Sequence, residues 1–417
     1  MPAILSRVAP RINYVGSRLM ASAARLETVP REEIHKEYDR KKTFYHKDLE
    51  IQLASPSQLK TKPLDPTKLK FGHTYADYMM TCDWDAETGW HHPKIEPIAE
   101  LKIHPGAKVL HYASELFEGM KAYRGVDNKI RMFRPEMNMA RMKRTAIRAA
   151  LPDFDSEEMI SVLTEMLRLD QEWVPNSDVC SLYMRPTLIG TDPTLGVAVS
   201  TEAKMFVITG PVGAYYSTGF QPVSLLADSR FIRAFPGGVG AYKMGCNYAP
   251  TIWVGKEAAS KNCQQVLWLY GENEDLTEVG TMNIFLFWKN EEGEMELITP
   301  PLHRGLILPG VTRDSVLQLG REWGEYKVTE RTLNMEEVKK ALSEKRLYEM
   351  FGAGTACVVS PVGKILYHNK VTDEYEELQI PTMASKYGVM QKFYNTINDI
   401  QVREYGRIIK DGWMRDI

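Results

Sequence analysis

Lys243 stands in PGGVGAYKMGCNYAP, residues 236–250, among four glycines and five residues before Tyr248. A lysine in so glycine-dense a segment first suggests phosphate binding, but the spacing argues against it. A P-loop has glycine directly before its lysine and Ser or Thr directly after, whereas Lys243 lies between Tyr242 and Met244. A dinucleotide fingerprint fails too, because Lys243 occupies the position three after Gly240 where glycine is required. From the segment alone two readings stay open: a lysine with a chemical role, or a glycine-rich turn with a solvated lysine, since glycine chiefly marks positions of positive φ.

Three other stretches carry residues of chemical interest. LTEVGTMNIFLF sets Glu278 in a tight turn entering an apolar strand, and LPGVTRDSV places Val311 and Thr312 where a helix begins, with Thr312 as its N-cap. MFGAGTACVV puts Thr355 and Ala356 in a second glycine-rich turn. Each has an ordinary reading as well: a turn glutamate is mostly solvated, and Tyr248 could pack in a core with its hydroxyl bonded elsewhere. His91 and His92 lack H-E-x-x-H spacing, and neighbours on a strand face opposite ways, so no metal site is expected.

The elements that must position these residues read as mixed α and β. IRMFRP, CSLYMRPTLIG, AKMFVITG, PVSLLAD, QQVLWLY and MNIFLFW read as strands, with GENEDLTEVG as the turn between the last two. Helices are expected over Met137 to Ala150, Ser156 to Leu169 and Pro250 to Ala259, and another opens at Asn334 with Glu337 at capping-box spacing. The 417 residues, 44% of them hydrophobic and 25% charged, suit a soluble two-domain protein with a net charge of -2. No basic run marks a nucleic-acid track, and no apolar run approaches the roughly 18 residues that cross a bilayer. The expected partner is a small molecule. Five scattered cysteines and no N-x-S/T sequon point to a reducing compartment. Residues 1–26 carry Arg7, Arg11, Arg18 and Arg25 before the first acid, Glu27, which reads as a mitochondrial transit peptide; without such a presequence the expectation is cytoplasmic. The remainder divides into a polar linker over 27–66 with the folded part starting near Phe71, a small α/β domain over 67–212, an interdomain loop over 213–222 and a large domain over 223–417.

HYASELFEGMKAYRG, YMRPTLIG, GPVGAYY, FIRAFPGGVGAYKMGCNYAP, TEVGTMNIF, LPGVTRDS and GAGTACVV occur in the order found in branched-chain aminotransferases, and from about Phe71 to its C-terminus the chain resembles that family. The resemblance implies the α+β fold of the class IV aminotransferases, pyridoxal 5'-phosphate (PLP) as cofactor, and a homodimer. It implies a ping-pong cycle in which leucine, isoleucine or valine gives its amino group to 2-oxoglutarate. A D-amino acid aminotransferase or an aminodeoxychorismate lyase would share the scaffold; the YMRP pair and the long N-terminal region favour the first activity.

Residue by residue, Lys243 resembles the Schiff-base lysine, for which a depressed pKa is expected, and Glu278 the carboxylate beside the pyridine nitrogen. Tyr248 matches the tyrosine on the cofactor's phenolic oxygen. The phosphate falls to Arg141 in NMARM and to the helix entry at Val311 and Thr312, with Arg134 of FRP the competing choice. Arg233, Thr281 and Thr355 complete the cofactor set. Phe71, Tyr112, Phe117 and Tyr215 match the apolar substrate wall, Tyr183 and Arg185 serve a second carboxylate, and the N–H groups of Thr355 and Ala356 hold the α-carboxylate. Leu195 and Val197 match a loop that reaches the partner subunit's site. Cys357 is followed by Ser360 where some members have a second cysteine, so no dithiol switch is expected there, and Cys246 and Ala249 replace frequent glycines. The small residues around Lys243 would let the backbone pass close to the flat cofactor ring.

Overall fold

Two sheets carry every strand among the described residues. In the first, the order is Glu50–Ile51, Lys94–Pro97, Tyr78–Asp85, Glu202–Val212, Ser181–Gly190, Met120–Arg124, Ile130–Phe133 and Met414–Asp416, with Gly89–Trp90 and Glu115–Phe117 paired at its side. The second runs Asp275–Val279, Gln265–Tyr270, Val223–Ala227, Val358–Asn369, Leu347–Gly354, Met282–Lys289, Met295–Thr299 and Lys327–Glu330. A further pairing of Asp275–Val279 with Met282–Lys289 closes the first six of these into a ring. The computed structural model describes residues 39–63, 65, 68–177, 179–213, 221–403 and 412–417. Residues 39–417 form one compact unit. The expected transit peptide and most of the expected interdomain loop lie outside the described residues.

MNIFLFW shows how the sequence builds these layers. Its near-continuous apolar run becomes Met282–Lys289, buried at every position but the last. Side chains alternate across a strand, so Ile284, Leu286 and Trp288 enter one core while Phe285 and Phe287 enter another. The second of those cores is covered by the helices Val311–Trp323 and Val389–Asn398. On the first sheet the helices Pro135–Ala149 and Ser156–Leu169 bury their methionines and leucines against the strands. Pro135 takes the first helical position, where a missing N–H costs nothing, after a left-handed Arg134.

Four expectations change. GENEDLTEVG is more than a turn: Asp275–Val279 is a strand, Glu278 is inside it, and Gly280 and Thr281 make the turn. Thr312 is not the N-cap of Val311–Trp323; that place belongs to Gly310. The folded part begins well before Phe71. Phe44 is 1% exposed and packs edge-on to Trp90 with ring centroids 5.3 Å apart, and Glu50–Ile51 pairs with Lys94–Pro97. Even the Lys-rich stretch of the expected linker is tied down, its Lys60 N–H and Lys62 ammonium both donating to Asp77. Lastly, Met414–Asp416 returns to pair with Ile130–Phe133, so the C-terminus completes the first sheet rather than the second.

The expected capping box is present: Asn334 Oδ1 accepts from the Glu337 N–H at 2.9 Å and Glu337 Oε2 accepts from the Asn334 N–H at 3.0 Å. Asn334→Ala should therefore cost about 1 kcal/mol of folding stability. A urea titration should show a lower midpoint with an unchanged slope; an unchanged midpoint would mean that the cap contributes nothing.

Candidate active site

A cavity of about 290 Å³ opens between the two sheets and contains Lys243. The lysine follows no helix or strand. It is held from both sides: its carbonyl accepts from the Phe117 N–H at 3.0 Å, and its N–H donates to Thr145 Oγ1 at 3.4 Å. Nζ lies 3.3 Å from the Tyr248 hydroxyl and 4.8 Å from the centre of the Phe117 ring. Burial, reinforced by the positive charge of Arg141, lowers the amine's pKa to about 7, with Glu118 pulling the other way. At neutral pH roughly half of it is the free base, against roughly one part in three thousand for an ordinary lysine. Burial also raises the Tyr248 pKa, keeping the phenol protonated. The glycines around the lysine serve close packing more than positive φ, which only Gly237 among them adopts. A Cβ at Gly240 would meet the Leu306 carbonyl oxygen at 2.7 Å, and one at Gly245 would collide with Glu115.

Strand register explains Glu278. In the tight hairpin Glu278 is directly opposite Asn283, whose amide donates to the carboxylate at 3.3 Å and to the Leu308 carbonyl at 2.9 Å. The Leu308 N–H donates to Glu278 at 2.7 Å, and Arg233 stands 3.2 Å away. Burial raises the carboxyl's pKa and the Arg233 charge opposes that. Arg233 in turn donates to the Leu306 carbonyl at 2.6 Å. It contacts Glu278, and neither of the two is among the residues that line the cavity.

Arg141 owes its place to helical spacing. Asn138, Arg141 and Thr145 recur at three and four residues along the buried face of Pro135–Ala149, a polar stripe beside Met139, Met142 and Ala146. Arg141 makes a two-pronged pair with Glu118, both contacts 2.7 Å, and spends its remaining arm on the Pro309 carbonyl at 3.0 Å. Asn138 donates to the same carboxylate at 2.9 Å. Although burial alone would raise the Glu118 pKa, the Arg141 charge and hydrogen bonds hold it below the usual range. Arg134, the competing choice, instead binds Asp314 at 2.6 Å and Ser315 at 2.7 Å, outside the cavity. Gly310, Val311 and Thr312 line the cavity at the start of Val311–Trp323, where the first N–H groups have no partner within the helix.

Of the expected wall, Phe71 and Phe117 line the cavity, as do Tyr183 and Arg185, expected for a second carboxylate, and Thr281, Thr355 and Ala356. Tyr183 packs edge-on to Phe71 at 4.9 Å and accepts from Arg185 at 3.0 Å. Tyr112 does not belong to this wall. It is 42% exposed, and its hydroxyl donates to the Leu195 carbonyl on a loop whose Leu195 and Val197 are also exposed. Tyr215 lies outside the described residues. Sequence reasoning misses Glu118 and Asn283. Glu118 is visible in ELFEGM, but nothing in its spacing marks it as the partner of an arginine on a later helix.

Cys246 is half-buried and Cys357 partly buried, with burial pushing the Cys357 thiol up to about 12; its sulfur sits 3.1 Å from Met282 Sδ. A larger cleft of about 670 Å³ on the first sheet holds His91 and His92, each paired with a carboxylate: His91 with Asp85 at 2.7 Å, His92 with Glu50 at 3.0 Å. Among the described residues no cluster of His, Cys, Asp and Glu could hold a metal ion, and no helix is long and apolar enough to cross a membrane.

The family model for class IV amino-transferases matches residues 115–365. Over its whole length the chain is 94% identical to the cytosolic branched-chain-amino-acid aminotransferase of Caenorhabditis elegans, covering all of that protein. It is 49% identical to the mitochondrial branched-chain-amino-acid aminotransferase of Rattus norvegicus, over 89% of this chain and 91% of that one. Among solved structures, the branched-chain amino acid aminotransferase of Escherichia coli superposes with a TM-score of 0.63 at 22% identity, covering 81% of this chain and 98% of that one. One from Thermobaculum terrenum, solved in its PLP form, gives 0.62 at 19% identity over 82% and 99%.

Breaking one side of the Arg141–Glu118 pair leaves a guanidinium buried without its counter-charge. Glu118→Ala should lower stability by about 3–5 kcal/mol, measured by chemical denaturation. Glu118→Gln, which keeps the acceptor, should lose less; a loss below about 1 kcal/mol for the alanine variant would contradict the pair's role.

Proposed function

The chain belongs to the class IV aminotransferases and is a branched-chain-amino-acid aminotransferase, and from that premise we propose how its residues divide the work. The reaction moves the amino group of leucine, isoleucine or valine to 2-oxoglutarate, reversibly. Enzymes of this class depend on PLP, which when bound supplies an aldehyde that captures amino groups and a ring that accepts the electrons left when a Cα proton departs.

The residues fit that cofactor. Lys243 Nζ would hold its aldehyde carbon at rest and, once released, move a proton from the substrate's Cα. The observation that carries this role is the buried amine with its pKa lowered to about 7, which is neutral often enough to act as a base at physiological pH. Glu278 would keep a proton on the ring nitrogen; its raised proton affinity and its fixed orientation by Asn283 and Leu308 suit it to share that proton. Tyr248, protonated and 3.3 Å from Lys243 Nζ, would donate to the phenolic oxygen. Arg141 and the N–H groups at Val311 and Thr312 would take the phosphate, and Thr281 and Thr355 border the same space. Arg233 contributes by holding Glu278.

Arg185 supports the dual specificity. Its Nε is buried without a hydrogen-bond partner, while the guanidinium lies 4.8 Å over the Phe117 ring. A glutamate side-chain carboxylate would satisfy that donor, whereas a leucine side chain would meet the faces of Phe71, Phe117 and Tyr183. The N–H groups of Thr355 and Ala356 are assigned the α-carboxylate. Tyr112, Leu195 and Val197 are assigned to a neighbouring subunit's site in a homodimer, in keeping with their exposure here. Two lobes joined through residues 213–222 are proposed from the two sheets. For location we propose the cytosol rather than mitochondria: the relative that matches this chain at 94% over its full length carries that label.

Lys243→Ala should abolish transamination from leucine to 2-oxoglutarate and the lysine-linked absorption of the protein given PLP, without loss of fold. Glu278→Gln should retain that absorption while kcat falls on the order of a hundredfold. A Lys243→Ala protein that still transaminates would remove the assignment.

A further inference from the structure

The strand Met120–Arg124 places Lys121 directly opposite Tyr183, on the face of the first sheet that looks into the cavity. Lys121 is 6% exposed, an unusual burial for a lysine. Its ammonium crosses to the second sheet and donates to the Ala356 carbonyl at 2.9 Å. Ala356 is the middle residue of the turn Thr355-Ala356-Cys357, which joins Leu347–Gly354 to Val358–Asn369 and is closed by the Gly354–Val358 pair.

That turn is under strain. Val358 has φ of 62°, the left-handed region, where a β-branched residue is a genuine outlier. Such a conformation persists only where its surroundings over-determine it. Gly354, at the other end, lies close against Met282: a Cβ there would meet Met282 Cγ at 3.2 Å. Between these ends, a buried cation on the Ala356 carbonyl fixes the plane of the Ala356–Cys357 peptide. Burial pulls the Lys121 pKa down to about 8, so the group is still largely charged at neutral pH and the bond is charge-assisted.

We propose that Lys121 is a positioning residue for substrate: by holding the Ala356 carbonyl it presents the Thr355 and Ala356 N–H groups to the α-carboxylate. This rests on the assignment of the α-carboxylate to that turn. Lys121 is not among the residues that line the cavity, so its loss acts on binding rather than on chemistry. Every substrate has an α-carboxylate, so amino acid and oxo acid are affected alike.

The test uses the PLP-loaded enzyme with Lys121→Met, which keeps the length and removes the donor. KM for leucine and for 2-oxoglutarate should rise about tenfold, equivalent to about 1.4 kcal/mol, with kcat within twofold and the cofactor absorption unchanged. The inhibition constant of 4-methylpentanoate should rise equally, while binding of a branched alkylamine without a carboxylate should not change. Lys121→Arg, which retains a donor, should restore most of the affinity. If Lys121→Met fails to fold, Val358→Gly, which relaxes the strained end, should raise the same constants. Ala356→Pro, which deletes an N–H, separates the two ideas. If it raises the inhibition constant and Lys121→Met does not, Lys121 has no positioning role. If neither does, the α-carboxylate lies elsewhere, and both assignments fall.

Discussion

Withdrawing the Lys243 amine from water removes the hydration that keeps an ordinary lysine charged, and Arg141 and Arg185 nearby raise the cost of charging it further. Two buried carboxylates, Glu118 and Glu278, pull the other way. The balance sets the amine's pKa near neutrality, and the rest of the site can be understood as what keeps that balance in place. Glu118 must stay charged, and Arg141 and Asn138 see to it. Glu278 must stay oriented, and Asn283, Arg233 and the Leu308 amide do so. Each buried carboxylate of the group thus has its partners.

These partners come from distant parts of the chain, which explains why so much fold is spent on a cavity of about 290 Å³. A hairpin register puts Glu278 opposite Asn283, and a helical stripe aligns Asn138, Arg141 and Thr145. The first sheet carries Lys121, Tyr183 and Arg185, with Glu118 between two of its strands, while the second carries Glu278 and the Thr355 turn. Strands and helices hold side chains more exactly than loops do, and the lysine itself, on irregular backbone, is pinned by Phe117 and Thr145 from the other layer.

Periodic features are legible in the sequence. The helices Ser156–Leu169 and Thr251–Ser260, the buried strand MNIFLFW and the Asn334 capping box all follow from spacing and capping chemistry. The roles proposed for Lys243, Arg141 and Glu278 come through long matching phrases rather than through spacing. Non-local pairing is not legible. Glu118 matters because a helix from later in the chain lies against it, and Phe44 belongs to the core because Trp90 and Phe154 close over it. The strand around Glu278 is hidden by its acidic composition, which reads as a turn until Arg233 and Arg304 are seen to neutralise Glu278 and Asp275. Tyr112 does not line this chain's own cavity, and an aromatic in a matching phrase says nothing about which cavity it faces.

The low proton affinity of the Lys243 amine is the property on which the proposed chemistry depends. Its direct measurement is a carbon NMR titration of the lysine ε-methylene groups in the cofactor-free protein, with Lys243→Ala identifying the signal. A resonance that titrates at about pH 7 and is absent from the variant is the expected result. A Lys243 signal that titrates with the bulk lysines, above about pH 10, would contradict it.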